Sequence, residues 1–320
     1  MQKQNNEFSD EEENNQPFII RFWKYLNERF PLLGHGVLVA SFSFSAVSYS
    51  RICRNEKGFI DWHIFLAGIV TTIGLFFLVR IFDEFKDKEE DAEFRKHLPV
   101  PRGLVSLKEL AIAGIGAFIL QLLVNVLFLP EMLPIYLCVF AYLLLMSKEF
   151  FVAKWLKEHP FWYVVSHMLI IPLIDIYASG LDWVLENKTA PFGLVFFFIV
   201  SFLNGVVLEV GRKIKTPENE EINTYSTKLG YKKATLLWMS MLLLTYVFSI
   251  FCTEYAGYGI VGVVVLSSIF VTCSVFGFIF LTRQSMKRAK WIEYASGVWT
   301  IAMYLTLGGI PMLLQFFDSL

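Results

Sequence analysis

Apolar residues in this chain gather into nine runs, at about 31–51, 59–82, 107–129, 132–152, 161–184, 190–210, 234–254, 258–282 and 293–317. A helix of about 20 apolar residues crosses a bilayer core of about 30 Å, so the pattern predicts nine transmembrane helices. Ahead of them, residues 18–30 (FIIRFWKYLNERF) interleave aromatic side chains with Arg21, Lys24 and Arg29, the alternation of a helix lying in the membrane interface. Residues 1–17 are polar and acidic, carry no apolar run of the signal-peptide kind, and are expected to form a disordered tail. The remainder, 18–320, reads as a single all-α, polytopic membrane domain.

Composition agrees: the 320 residues are 55% hydrophobic and 17% aromatic. The net charge of −1 says little, whereas the distribution of charge says a great deal. With the N-terminus placed in the cytoplasm, 24 Lys and Arg fall in the segments on that side, against only Arg51, Arg54, Lys57 and Lys188 on the other. Positive charge is retained on the cytoplasmic side, so this asymmetry supports both the nine spans and the orientation. The two longest cytoplasmic connections follow the second and sixth spans. That spacing suggests a 4+4+1 pseudo-repeat around a central cavity into which both connections could reach. Cys53, Cys138, Cys252 and Cys273 are scattered without a Cys-x-x-Cys pair and read as packing residues, not as zinc ligands or disulfides. Nucleophile-elbow and glycine-rich phosphate motifs are lacking, and no soluble basic patch suggests a nucleic-acid partner.

Candidate chemistry concentrates in the first of those connections, Arg80–Ser106. Seven acids stand there among six bases. In a helix Asp83, Asp87 and Asp91 recur at i, i+4 and i+8, with Glu84 within an arc of about 100°. Four carboxylates on one face repel one another unless a cation sits among them, and Mg²⁺ with oxygen ligands is the natural candidate. A solvated acidic loop is the plain alternative. In the second connection Glu209 ends an apolar run, with Arg212 and Lys213 at i+3 and i+4. An ionisable residue at that depth marks a functional site, and a simple interfacial salt bridge is its structural counterpart. Thr216-Pro217-Glu218 reads as the start of a short helix carrying Glu218, Glu220 and Glu221.

Together these loops resemble the UbiA superfamily of intramembrane prenyltransferases. That family's first signature, Asn-Asp-x-x-Asp-x-x-x-Asp followed by Arg-Pro-x-x-x-Gly, meets Asp83-Glu84-Phe85-Lys86-Asp87 through Asp91, with Pro99-Val100-Pro101-Arg102-Gly103 downstream. Asp87 and Asp91 match directly, Glu84 replaces the first Asp, and Leu98 stands where Arg is usual, leaving Arg95, Lys96 or Arg102 to supply the charge. In the second signature Glu209, Arg212, Lys213 and Leu229-Gly230 sit in place, but the two usual aspartates align with Val207 and Gly211. The resemblance implies transfer of a polyprenyl group from an allylic diphosphate to an unidentified hydrophobic acceptor, aromatic or lipid. Mg²⁺ would be held by Asp83, Glu84, Asp87 and Asp91. It further implies catalytic roles for Asp87, Asp91, Arg102 and Lys213, and substrate contacts from Arg95, Lys148, Glu209 and Arg212, all at the cytoplasmic face.

Two rival readings follow from the altered second signature: a non-catalytic prenyl-lipid-binding relative, or a membrane transporter. A phosphatidyl-alcohol transferase would show a compact Asp-Gly-x-x-Ala-Arg pattern, which the sequence lacks. Within the fifth span, His167 and Asp175 lie eight residues apart and thus within about 80° of each other, with Pro172 between them. Asp175 lines either a cavity or the outer half of the bundle. His35 and His63 stand near helix ends, where interfacial packing is the ordinary role.

Overall fold

The computed structural model describes residues 13–216 and 224–318. Its secondary structure is helical. Nine helical segments among the described residues are long and apolar enough to cross a membrane: Leu32–Cys53, Trp62–Lys86, Leu107–Phe128, Pro130–Ser147, Pro160–Trp183, Leu194–Arg212, Tyr231–Tyr255, Gly259–Thr282 and Met286–Asp318. They match the nine predicted runs one for one, and the chain is an integral, multi-pass membrane protein. Their outward faces carry Ile112, Ile115, Leu127, Val261 and Phe278, as lipid contact requires.

Helix α1 (Phe18–Arg29) precedes the spans, which begin with α2 (Leu32–Cys53) and α3 (Trp62–Lys86). It turns Ile19, Ile20 and Trp23 outward and buries Tyr25 against Ile81, Leu104, Val105 and Leu110, so one face suits the lipid interface and the other the bundle. The last residues of the expected acidic tail are held against this helix: Glu13 pairs with Lys24 at 3.2 Å, and Asn14 donates to the Arg102 carbonyl. The rest of that tail, and Glu218, Glu220 and Glu221, lie outside the described residues.

Two spans depart from simple helices, each for a physical reason. The fifth is divided into α8 (Pro160–Met168) and α9 (Ile170–Trp183). Pro172 supplies no amide for the helical ladder and its ring crowds the Met168 carbonyl, so the break falls at Leu169. The ninth, starting with α14 (Met286–Tyr304), contains a π-helical stretch at Leu305–Gly309. There Gly308 lies directly against the backbone of Ser45, an approach that any side chain would block. This span also begins earlier than its apolar run, because Ser285 caps a first turn made of basic residues.

Opposite the acidic motif, α2 and α9 are clasped by charge. Asp182 accepts from Ser50 (2.7 Å), Arg51 (3.1 Å) and Arg54 (2.8 Å), and Glu186 accepts from both arginines. Those arginine hydrogen bonds hold the Glu186 carboxyl below the usual carboxylate range.

Candidate functional site

The site is built where α3 ends. Asp87 terminates the helix, and α4 (Lys88–Phe94) follows almost in register. The amides of Asp87, Asp91 and Arg95 each donate 2.9 Å bonds to the carbonyl four residues earlier, so the one-turn spacing of the three aspartates survives the break.

The four carboxylates are nevertheless divided between two directions. Glu84 is buried and accepts from Arg29 of α1 at 2.7 Å and from Arg80 at 2.8 Å. Asp91 is buried and paired with Arg95 at 2.9 Å. Both line a cleft of about 170 Å³ against Val100, Pro101 and Leu107. Of the four expected ligands, Glu84 is thus engaged by two guanidinium groups and Asp91 by one, while Asp83 and Asp87 remain toward the inner face beside Lys86. Arg102 is likewise drawn away, forking onto Glu28 of α1 at 2.7 and 2.8 Å while bonding the His97 carbonyl. Arg29, Arg80, Glu84, Glu28 and Arg102 thus bind α1 to the motif loop, aided by Arg21 on Glu109 and the Leu104 carbonyl.

On the inner face, Asp83 shares a 3.4 Å ion pair with Lys86, and Asp87 has no ion-pair partner among the described residues. Burial, together with the neighbouring charges of Asp83, Asp91 and Glu90, raises the Asp87 carboxyl to about 6 even though Lys86 pulls the other way. Lys86 was not foreseen as a site residue. Its side chain is 12% exposed, donates to the Tyr163 hydroxyl at 3.0 Å, and sits 5.5 Å from that ring's centre. Tyr163 in turn stacks on His167 with ring centres 4.1 Å apart.

The second connection meets this face from α10 (Leu194–Arg212). Glu209 pairs with Arg212 at 2.7 Å and Lys213 at 2.5 Å, so the salt bridge considered from sequence forms. Asp83 lies within electrostatic reach of Arg212, and Glu209 within reach of His167 and of Tyr225. Tyr225 begins the short helix α11 (Tyr225–Leu229), which Thr224 caps, and burial pushes its phenol upward so that it stays a neutral donor. Asp83 of the first connection and Arg212 at the start of the second thus lie within electrostatic reach of each other. Lys148 is not brought in: its side chain is exposed, and the chain beyond it passes through three left-handed residues, Glu149, Phe150 and Phe151.

Among the described residues no three His, Cys, Asp or Glu side chains converge as a ready-made metal cage. Mg²⁺ does not require one, since it is commonly held by one or two carboxylates together with substrate phosphate oxygens and water. Asp83 and the unpaired Asp87, one turn apart and facing cations suited to phosphate, fit that donor set.

A model of the UbiA prenyltransferase family matches residues 33–314. The chain belongs to the UbiA prenyltransferase family. A solved structure of a digeranylgeranylglyceryl phosphate synthase is similar to it in fold, with 15% identity and a TM-score of 0.58, over 91% of this chain and 99% of that one. No curated protein matches the sequence. For this UbiA-family chain, the match reaches into all nine spans and includes both charged connections.

Proposed function

We propose that the protein transfers a polyprenyl group from an allylic diphosphate to a hydrophobic acceptor, using Mg²⁺ bound at Asp83 and Asp87. The observation that carries this reading is the Asp87 carboxyl without an ion-pair partner beside Lys86, with Arg212 in electrostatic reach of the neighbouring Asp83 at the end of an apolar bundle. Bound there, Mg²⁺ supplies Lewis-acid neutralisation of the departing diphosphate. Lys86 offers a point charge and Arg212 a planar fork to the remaining phosphate oxygens. Tyr163 and Tyr225 add neutral donors. Asp91 and Arg95 hold α4 in place through their pair, and Lys213 balances Glu209. The basic segments and this site face the cytoplasm, and the prenyl tail lies among the apolar spans.

Lys86→Met tests the binding half of this reading without involving chemistry. A charge-assisted hydrogen bond contributes about 1.5–3 kcal/mol, so affinity for a non-reactive thiolo analogue of geranylgeranyl diphosphate, measured by calorimetry with Mg²⁺ present, should fall roughly 10- to 100-fold. Unchanged affinity would remove Lys86 from the diphosphate site. An analogue that binds with no Mg²⁺-dependent turnover in the unaltered protein would favour the non-catalytic relative.

A further inference from the structure

The mechanism above leaves one step without a residue: the acceptor must lose a proton when it bonds to the prenyl carbon. His167 lies beside the residues of the diphosphate site, stacked on Tyr163. It is 6% exposed, and its Nδ1 lies 2.9 Å from the Tyr163 carbonyl oxygen. A carbonyl can only accept, so Nδ1 carries the hydrogen and Nε2 presents a lone pair. Ser166 Oγ, 3.3 Å from the same Nδ1, leaves this assignment intact because its own hydroxyl donates to the Tyr163 carbonyl. Nε2 is buried and has no hydrogen-bond partner. A buried acceptor without a donor is costly, and a structural histidine would satisfy both nitrogens.

Its position points the same way. Tyr163 stacks on one face of the ring and Phe150 meets it edge-on, fixing its orientation. His167 lies one helical turn further into the membrane than Tyr163, the residue that holds Lys86. The reacting carbon of a prenyl diphosphate lies on the membrane side of its phosphates, because the tail that follows it is apolar. The charged groups in electrostatic reach of the ring are Lys86 and Asp83 of α3 and Glu209 of α10; the Lys86 ammonium disfavours charge on the resting ring, and the two carboxylates offset part of that repulsion once an imidazolium forms. We infer that His167 Nε2 is the general base that takes the proton from the acceptor.

This assignment rests on the prenyl-transfer reading. As the prenyl C1–O bond breaks, its electron pair leaves with the diphosphate. The acceptor's nucleophilic oxygen or ring carbon then bonds to C1, and the proton it sheds passes to Nε2. Nδ1–H keeps its bond to the Tyr163 carbonyl throughout, and the imidazolium afterwards returns its proton to the released diphosphate or to water.

The test separates ionisation from capture. Full-length protein in lipid nanodiscs is given tritiated geranylgeranyl diphosphate and Mg²⁺, with the extracted membrane lipids of its own host as the acceptor pool. Three quantities are read: affinity for the thiolo analogue, diphosphate release, and label transferred to lipid. General-base catalysis contributes about 10²–10⁴-fold. His167→Gln should therefore lose at least about 100-fold in transferred label. Analogue affinity and solvolytic diphosphate release should stay within about threefold, with prenol replacing the transferred product. His167→Asn, which retains a donor on the Nδ1 side, should behave alike and melt at the temperature of the unaltered protein. Full transfer by either variant, or a parallel fall in affinity and transfer, overturns the assignment of the base alone. An unaltered protein that neither binds the analogue nor transfers label overturns the prenyl-transfer reading and this inference with it.

Discussion

Asp87→Asn is expected to slow release of diphosphate from an allylic diphosphate by roughly 10²–10³-fold, the usual cost of removing one group that stabilises developing negative charge. Its neighbours should behave differently, and the contrast makes the experiment informative. Glu84→Gln leaves the inner face untouched and loosens α1 instead, since its carboxylate accepts from Arg29 and Arg80. The expected signature is faster amide hydrogen exchange in Phe18–Arg29 with an unchanged Mg²⁺ requirement. Equal catalytic losses in the two variants, measured by phosphate-coupled assay, would restore Glu84 to the metal site and refute the division of carboxylates described above.

Asp182→Ala is expected to give the largest loss of stability, about 3–5 kcal/mol, because removing one partner from a buried ion pair strands the other charges. Asp182 is fully buried and receives three hydrogen bonds, and the Arg51 and Arg54 side chains are each 9% exposed. Glu186 still holds both arginines, which places the cost near the lower end of that range. Thermal unfolding in nanodiscs should show a clearly lowered midpoint, while protein still folded keeps its rate of diphosphate release. A midpoint within a degree or two of the unaltered protein would mean that the clasp contributes nothing.

Much of the fold was legible because the bilayer imposes a single rule. Each span must satisfy its own backbone and face lipid, so apolar runs map directly onto helices. The boundaries that moved are those where polar residues continue a helix beyond its apolar run, as Ser285 and the basic turn after it do in α14. At the site, helical periodicity correctly gave the one-turn spacing of Asp83, Asp87 and Asp91. It could not show that Glu84, about 100° further around the helix, finds Arg29 from a segment 55 positions away. The partner of Arg102 was hidden for the same reason, since Glu28 lies on α1.

Lys86 passed unnoticed because a base among acids looks like surface charge balance. Only the fold reveals Tyr163 beside it. His167 carried a faint signal, a titratable residue inside an apolar span, which by itself says nothing of tautomer or partner. Asp175 carried a similar signal and proves fully buried, with Ser201 and Tyr304 beside it. The salt bridge at Glu209 was available from its i+3 and i+4 neighbours, whereas the approach of Asp83 toward Arg212 depends on how α3 and α10 pack.

The central claim is that the end of the bundle bearing Asp83, Lys86, Asp87 and Arg212 binds and activates an allylic diphosphate through Mg²⁺. Its most direct test is release of inorganic diphosphate from geranylgeranyl diphosphate by the purified protein in nanodiscs, followed as Mg²⁺ is titrated and then withdrawn with EDTA. The account predicts saturable release that stops on chelation, resumes when Mg²⁺ is restored, and is lost in Asp87→Asn. Release that is indifferent to both EDTA and Asp87→Asn, or no release at any Mg²⁺ concentration, would contradict it.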